Sequence, residues 1–169
     1  MPLIRIYHPS PRTFTDAKER KALSDAIVDM YTAYGLPPFF VIVLFIPIPG
    51  DCLFIGGRSD ERACANPNEP AMIRIVFDHI ARTIESPEAG MKFFEGVDEI
   101  FKPHILDKGH ELEYHLIESP REFCKMNGMY LPPNDSEAEA VWVRENRTSP
   151  YEGMENPTPS IKPMNIRTS

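Results

Sequence analysis

The sequence predicts an α+β fold with α/β connectivity, in which two tandem β-α-β units form one four-stranded sheet with both helices on the same face. A helical stripe of apolar residues carries this prediction: Leu23 and Ile27 recur as Phe93 and Val97, displaced by 70 residues. Apolar strand sequences and strand-ending prolines repeat around both stripes at similar offsets. Such a period indicates an internal duplication, and parallel strands within each unit require a right-handed crossover helix.

The first unit is predicted to span residues 2–57. Residues 3–8 are typical of a strand, and Thr15 with Asp16 provides an N-cap and an acidic first turn for the helix that follows. Gly35 and two prolines end that helix. Residues 39–46 are continuously apolar, which predicts a strand buried on both faces. A short hairpin strand over residues 52–55 completes the unit.

A polar linker over residues 58–70 precedes the second unit, which is predicted to span residues 71–120. Its first strand covers residues 71–76, Ser86 and Pro87 start its helix, and its second strand covers residues 112–117. Residues 121–151 form an extension with a short helix around Trp142, so that residues 2–151 make a single domain. Residues 152–169 contain three prolines and little apolar content, which predicts a disordered tail or an arm on a neighbouring copy.

Composition excludes several classes of function. The formal net charge is −7, which argues against a nucleic-acid partner. Three unpaired cysteines, Cys52, Cys64 and Cys124, indicate reduced thiols and a cytoplasmic location. The five histidines show no zinc-type spacing, so no metal site is expected, and no apolar run is long enough to span a membrane.

The candidate catalytic group is the nitrogen of Pro2. A small second residue permits removal of Met1, which leaves Pro2 with a free secondary amine at the start of an apolar strand. An α-amino group titrates at roughly 7.7–8 in an unperturbed chain, so it can act as a general base or a general acid near neutral pH. The alternative is that Pro2 is an inert residue tolerated at a sheet edge.

A duplicated β-α-β unit that begins with Met-Pro resembles the tautomerase superfamily, and the length is most similar to its cis-3-chloroacrylic acid dehalogenase-like branch. The most specific matches are Glu113-Tyr114-His115, Ser119-Pro120-Arg121-Glu122 and Asn127-Gly128. The resemblance implies a homotrimer that uses its N-terminal proline on small unsaturated or 2-oxo carboxylates, without a cofactor or metal. The open sheet face independently favours self-association, because its apolar side chains need cover.

The resemblance also implies which residues line the site. Pro2 matches the catalytic proline, and Arg82 matches one of two arginines that bind the substrate carboxylate. His79 stands where the dehalogenase has the other arginine, and it cannot make a bidentate fork. Tyr31 corresponds to an active-site histidine. His115, or Tyr114 if the alignment slips by one residue, corresponds to an active-site tyrosine.

One further difference from the dehalogenase bears on which reaction the protein can catalyse. Met126 stands at the position of the glutamate that activates water in the dehalogenase, with Asn127 next to it. Neither side chain is an effective base. Three hypotheses follow: a tautomerase that uses neutral Pro2 as a base, a hydratase or dehalogenase of a 3-substituted acrylic acid that uses protonated Pro2 as an acid, and a non-catalytic binding trimer.

Overall fold

The computed structural model describes residues 1–59 and 69–156. Cys64, most of the predicted linker and residues 157–169 of the predicted tail lie outside the described residues. The two repeated units and the extension supply the elements, which we number in chain order. They are β1 (Pro2–Ser10), α1 (Ala17–Ala33), β2 (Ile42–Pro49), β3 (Phe54–Ile55), β4 (Arg58–Ser59), β5 (Met72–Ile80), α2 (Pro87–Phe101), β6 (Glu111–Ser119), β7 (Lys125–Met126), β8 (Met129–Tyr130) and α3 (Glu137–Glu145).

The main sheet has four strands in the order β2-β1-β5-β6. Strands β1 and β2 pair in parallel, as do β5 and β6, so each pair is one β-α-β unit. The two units join through the antiparallel β1–β5 pair, in which Pro2 lies opposite His79. The fold class predicted from the sequence is therefore confirmed.

The residues that repeat in the sequence of the two helices are the residues that the helices bury in the core. Helix α1 buries Leu23, Ile27 and Tyr31, and α2 buries three residues displaced from these by 70 positions: Phe93, Val97 and Phe101. Both helices pack with one face of the sheet in a single apolar cluster. Tyr34, the residue that caps the end of α1, is 58% exposed.

The face of the sheet opposite the helices is open in a single chain. The prediction that the strand over residues 39–46, now β2, is buried on both faces is therefore wrong. That strand begins at Ile42 rather than residue 39, because residues 38–40 form a 3-10 turn. It lies at the sheet edge, and Ile42 and Leu44 on its outer face are 38% and 43% exposed. Ile117 of β6 is 46% exposed on the same face. No described element of the chain covers these side chains, so β2 is not buried on both faces.

The C-terminal extension builds a second, smaller apolar cluster at one end of the sheet. Its buried members are Phe40, Leu131 and Trp142. Residues 152–156, which were predicted to belong to a disordered tail, form turns instead, and the carbonyl of Met154 accepts a hydrogen bond from the backbone N–H of Tyr130 (2.9 Å). The described start of the tail therefore belongs to the extension.

Local sequence signals fix both ends of α1. The cap is Asp16 rather than Thr15, and its carboxylate accepts from the backbone N–H of Lys18 (2.9 Å). At the other end, Gly35 adopts a φ of +83°, and the N–H of Leu36 donates to the carbonyl of Tyr31 (3.3 Å). This glycine-based helix end fixes Tyr31 in the last turn. In the described residues, no helix is both long enough and apolar enough to cross a membrane.

Candidate active site

A cavity of about 370 Å³ opens at the end of the sheet where β1 begins and β5 ends. Its walls come from four parts of the chain: the N-terminus, the end of α1, the loop after β5 and the start of α2. Most of the lining is apolar, and Arg82 and Lys92 supply its positive charge. The residues that line it are Met1, Pro2, Tyr31, Tyr34, Leu36, His79, Ile80, Arg82, Thr83, Ile84, Glu85, Ala89, Lys92 and Phe93.

Backbone pairing places the N-terminus inside the site. Met1 extends the β1–β5 ladder by one residue: its carbonyl accepts from the N–H of Ile80 (3.0 Å), and its amine donates to the carbonyl of Ile80. Burial lowers the pKa of this amine from 8.0 to about 5. A charged amine is disfavoured there because few water molecules can solvate it.

Tyr31 and His79 form a buried pair beside Pro2. The phenol oxygen of Tyr31 lies 2.7 Å from Nε2 of His79, and both rings pack with Phe93. Burial raises the pKa of Tyr31 far above its usual value and lowers that of His79 to about 4. Both groups are therefore uncharged at neutral pH. His79 cannot supply the positive charge of the arginine that it replaces, but the pair can donate or accept hydrogen bonds.

The low pKa of His79 predicts a pH dependence of folding stability. Between about pH 6.5 and pH 4 the unfolded chain protonates this histidine while the folded chain does not, so the free energy of unfolding falls as the pH is lowered. From a pKa of about 4, the difference for one such group is on the order of 3 kcal/mol. In His79→Gln, urea unfolding at pH 7 and pH 4.5 should show a smaller pH difference than in the parent protein.

The control for this experiment is His115→Gln, which removes a histidine from the open sheet face. It should retain the pH difference of the parent. An identical pH dependence in His79→Gln and in the parent would contradict the assignment of the effect to His79.

Arg82 is held by a carboxylate from the extension. It follows β5 by two residues, after Ala81 with a φ of +63°, a conformation that is uncommon for a residue with a Cβ. One guanidinium nitrogen of Arg82 lies 2.9 Å from Glu139 of α3. Glu139 is buried, and its other oxygen accepts from the N–H of Asp135 (2.7 Å). This leaves other N–H groups of Arg82 able to bind an anion in the cavity.

Three of the predicted binding residues lie outside the cavity at Pro2. Tyr114 is on the helix side of β6 and donates to Asp98 (2.5 Å), whereas His115 faces a separate cavity on the open face. Asn127 occupies a two-residue hairpin turn between β7 and β8 with φ of +52° and donates to Thr148 (2.9 Å). None of the three lines the cavity at Pro2 within one chain, and their roles stay predictions.

The sequence did not single out Lys92, Phe93 or Glu139 as site residues. Phe93 belongs to the apolar stripe of the second predicted helix, which indicates a core residue. A Ser-x-x-Glu signal does precede α3, because Ser136 accepts from the N–H of Glu139 (3.2 Å), the pattern of a helix start. That pattern identifies the helix but does not reveal that the glutamate reaches Arg82, 57 positions away.

Comparison with known families agrees with this geometry. A family model described as "Putative oxalocrotonate tautomerase enzyme" matches residues 1–147. The chain belongs to this family. Among curated proteins, no sequence matches the chain.

Solved structures support the same assignment. The chain is 35% identical to a "probable enzyme" from the thermophilic fungus Aspergillus fumigatus, with a TM-score of 0.77 over 89% of this chain and 98% of the other. It is 32% identical to native RhCC from Rhodococcus jostii RHA1, with a TM-score of 0.76 over 88% of this chain and 99% of the other. A member of the cis-3-chloroacrylic acid dehalogenase family shares the fold at 17% identity, with a TM-score of 0.60 over 85% and 96% of the two chains.

The family model thus confirms the predicted resemblance to the tautomerases, and the dehalogenase-family structure shows that the fold is shared. Within the described residues, no group of three or more histidine, cysteine, aspartate or glutamate side chains is arranged to hold a metal ion.

Proposed function

We propose that the protein is a cofactor-independent tautomerase that moves a proton between oxygen and carbon of a small 2-oxo carboxylate, with the amine of Pro2 as the base. The observation that carries this proposal is the position of Pro2. It lies opposite His79 in the ladder and lines the same cavity as Arg82, so a base and an anion-binding group face one small space. Family membership supports the class of reaction.

The proposed reaction needs one base. Arg82 binds the substrate carboxylate, and neutral Pro2 takes the proton from the enol hydroxyl. The electron pair of the O–H bond forms the carbonyl, and the C=C electrons take the proton from Pro2 onto the adjacent carbon. The atoms and charges balance without water or a second reactant, and Pro2 ends neutral. The uncharged Tyr31–His79 pair is placed to hydrogen-bond the oxygen on which negative charge develops.

The apolar environment around Met126 favours tautomerisation over hydration or dehalogenation. Those reactions require a group that activates water, and the position of that group in the dehalogenase corresponds to Met126. In the structure Met126 packs against the second apolar cluster, together with Met1. An apolar environment neither binds nor deprotonates water, whereas tautomerisation needs no water. The non-catalytic alternative predicts that Pro2 is dispensable.

The pH profile of ketonisation tests the role of Pro2. A base must be unprotonated, so kcat/KM for the enol of pyruvate should rise with pH and reach a plateau. Burial lowers the pKa of the Met1 amine, and since the Pro2 nitrogen lines the same cavity, we expect its midpoint also to lie below the ordinary value of about 8 for an α-amine. Stopped-flow absorbance over pH 4–9 measures it. A rate that instead falls through this range would indicate protonated Pro2 as an acid, as the hydratase hypothesis requires.

We further propose a homotrimer assembled through the open sheet face. The exposed apolar residues Ile42, Leu44 and Ile117 and the resemblance to trimeric tautomerases support this assembly. Light scattering of the purified protein should give three times the chain mass of 19.3 kDa. Leu44→Glu, which places a charge on that face, should lower the measured mass, while Lys21→Glu on the exposed side of α1 should not. A monomeric parent protein would contradict the proposal.

A cytoplasmic location also remains a proposal. The described cysteines, Cys52 and Cys124, are free thiols.

A further inference from the structure

We infer that the apolar cluster around Trp142 contains a substrate subsite, which removal of Met1 opens and which accepts an unbranched apolar substituent of about four heavy atoms. This inference rests on the proposed function and specifies its substrates: 2-oxo acids with an alkyl or thioether chain on the carbon that exchanges a proton. We call this region the Met1 subsite. The cluster that Met1 packs against has Phe40, Leu131 and Trp142 as its buried members, and partly buried residues that include Ile80, Cys124 and Met126 pack around them.

Met1 shows what the subsite can hold. It lines the cavity next to Pro2 and also packs against the cluster formed by Phe40, Leu131 and Trp142. The side chain of Met1 is unbranched and contributes four heavy atoms beyond Cα. Excision of Met1 removes these atoms and joins their space to the cavity. The C-terminal extension forms most of the far wall, so the subsite depends on a segment that lies outside the duplicated units.

Standard bond lengths indicate where the reacting carbon of the substrate lies relative to the Met1 subsite. Before excision, Cα of Met1 lies about 2.4 Å from the nitrogen of Pro2, as two bonds of standard length require. After excision, a substrate carbon that exchanges a proton with this nitrogen must approach to about 3 Å. The reacting carbon therefore takes nearly the place of Met1 Cα. A substituent on that carbon can follow the path of the methionine side chain into the subsite.

Hydrogen bonding within the walls excludes polar substituents. The indole N–H of Trp142 donates to the carbonyl of Ser149 (2.6 Å). The hydroxyl of Tyr151 donates to the carbonyls of Tyr130 (2.9 Å) and Leu131 (3.1 Å). The indole and phenol donors of the cluster are thus already used, the buried guanidinium of Arg121 donates to the carbonyl of Leu131, and the thiol of Cys124 is a weak donor. A carboxylate placed here would lose its hydration without replacement, so the subsite should select alkyl chains over dicarboxylates.

Chain length provides the first test. For the protein without Met1, confirmed by intact mass, kcat/KM for ketonisation should rise about tenfold or more from the enol of pyruvate to that of 2-oxoheptanoate, whose reacting carbon carries a butyl group. The enol of 2-oxoadipate, which carries a chain of similar length ending in a carboxylate, should show no such gain. Equal or falling values along the alkyl series would overturn the inference.

A variant that fills the subsite gives the matched control. Cys124→Leu should lower the ratio of kcat/KM for 2-oxoheptanoate to kcat/KM for pyruvate, and circular dichroism reports whether the variant is folded. Cys52→Leu, on an exposed cysteine, should change neither value. An unchanged preference for 2-oxoheptanoate in Cys124→Leu would overturn the assignment of the subsite to this cluster.

Thiol labelling tests the subsite independently of catalysis. Heptanoate should protect Cys124 from iodoacetamide in the protein without Met1, whereas acetate should not, and Cys52 should react equally in every sample. Peptide mass spectrometry resolves each thiol. If no enol is ketonised in a Pro2-dependent manner, the proposed function fails, but protection of Cys124 by heptanoate would still support the subsite. Absence of protection would overturn it whatever the catalytic result.

Discussion

Replacement of Pro2 with alanine in the protein without Met1 is expected to lower the ketonisation rate of a simple enol of a 2-oxo acid by about 10²-fold or more. Alanine keeps an α-amine but loses the ring, which fixes the backbone torsion at the nitrogen. The amine then rotates freely, and much of the benefit of a positioned base, about 10²–10⁴-fold, is lost. Stopped-flow absorbance of freshly generated enol, compared with the buffer rate, measures the effect.

A form that retains Met1 is the control for this experiment. Its Pro2 nitrogen is an amide without basicity, and Met1 itself occupies the space beside that nitrogen, so its rate should be close to that of buffer. It can be prepared by inhibiting methionine aminopeptidase during expression and verified by intact mass. Equal rates in all three forms, each above buffer, would show that the nitrogen of Pro2 takes no part in the reaction.

The second large effect is expected at Arg82. Arg82→Gln should raise KM about 10–100-fold with a smaller change in kcat, because a charge-assisted hydrogen bond to a carboxylate contributes about 1.5–3 kcal/mol. Lys92 also lines the cavity, at its α2 wall. Lys92→Gln is therefore a useful comparison, and it should have the smaller effect because its exposed ammonium is well hydrated. A KM for Arg82→Gln equal to that of the parent would remove Arg82 from the carboxylate site.

Glu139 should influence KM through Arg82. Glu139→Gln removes one charge from the ion pair that holds the guanidinium at 2.9 Å, so a rise in KM smaller than that of Arg82→Gln is expected. The double variant should resemble Arg82→Gln alone, since the two changes act on one contact. Glu137→Gln, on an exposed residue of the same helix, is the control. Additive effects of the two substitutions would contradict a positioning role for Glu139.

Much of the fold could be predicted because both halves of the sequence repeat the same pattern. The buried residues of α1 and α2 recur at one spacing, and Ser86 with Pro87 marks the start of α2 as predicted. The prediction that β2 is buried on both faces was wrong, because an apolar sequence does not say what covers each face of a strand. The outer face of β2 is as apolar as a buried strand, yet no described segment of the chain covers it, and the apolar pattern alone does not distinguish these two situations.

The candidate site was less predictable, because its parts meet only in the folded chain. Pro2 and Arg82 could be placed from the start of one strand and the end of another. The contact between Tyr31 and His79 spans 48 positions, and that between Arg82 and Glu139 spans 57, so no local pattern reveals either. The short matches at Tyr114, His115 and Asn127 identified the family but not a position at this cavity. Met126 and Trp142 look like ordinary core residues until their closeness to Met1 is seen.

The two β-α-β units lie in one chain, and the antiparallel pairing of β1 with β5 puts the starts of the two units at opposite ends of the sheet. Ala71 is the counterpart of Pro2 in the second unit, but its nitrogen is an internal amide that donates to His110 (3.3 Å) at the opposite end of the sheet. Each chain thus offers one free terminus where two separate units would offer two. A reagent that alkylates the terminal amine should saturate at one equivalent per chain.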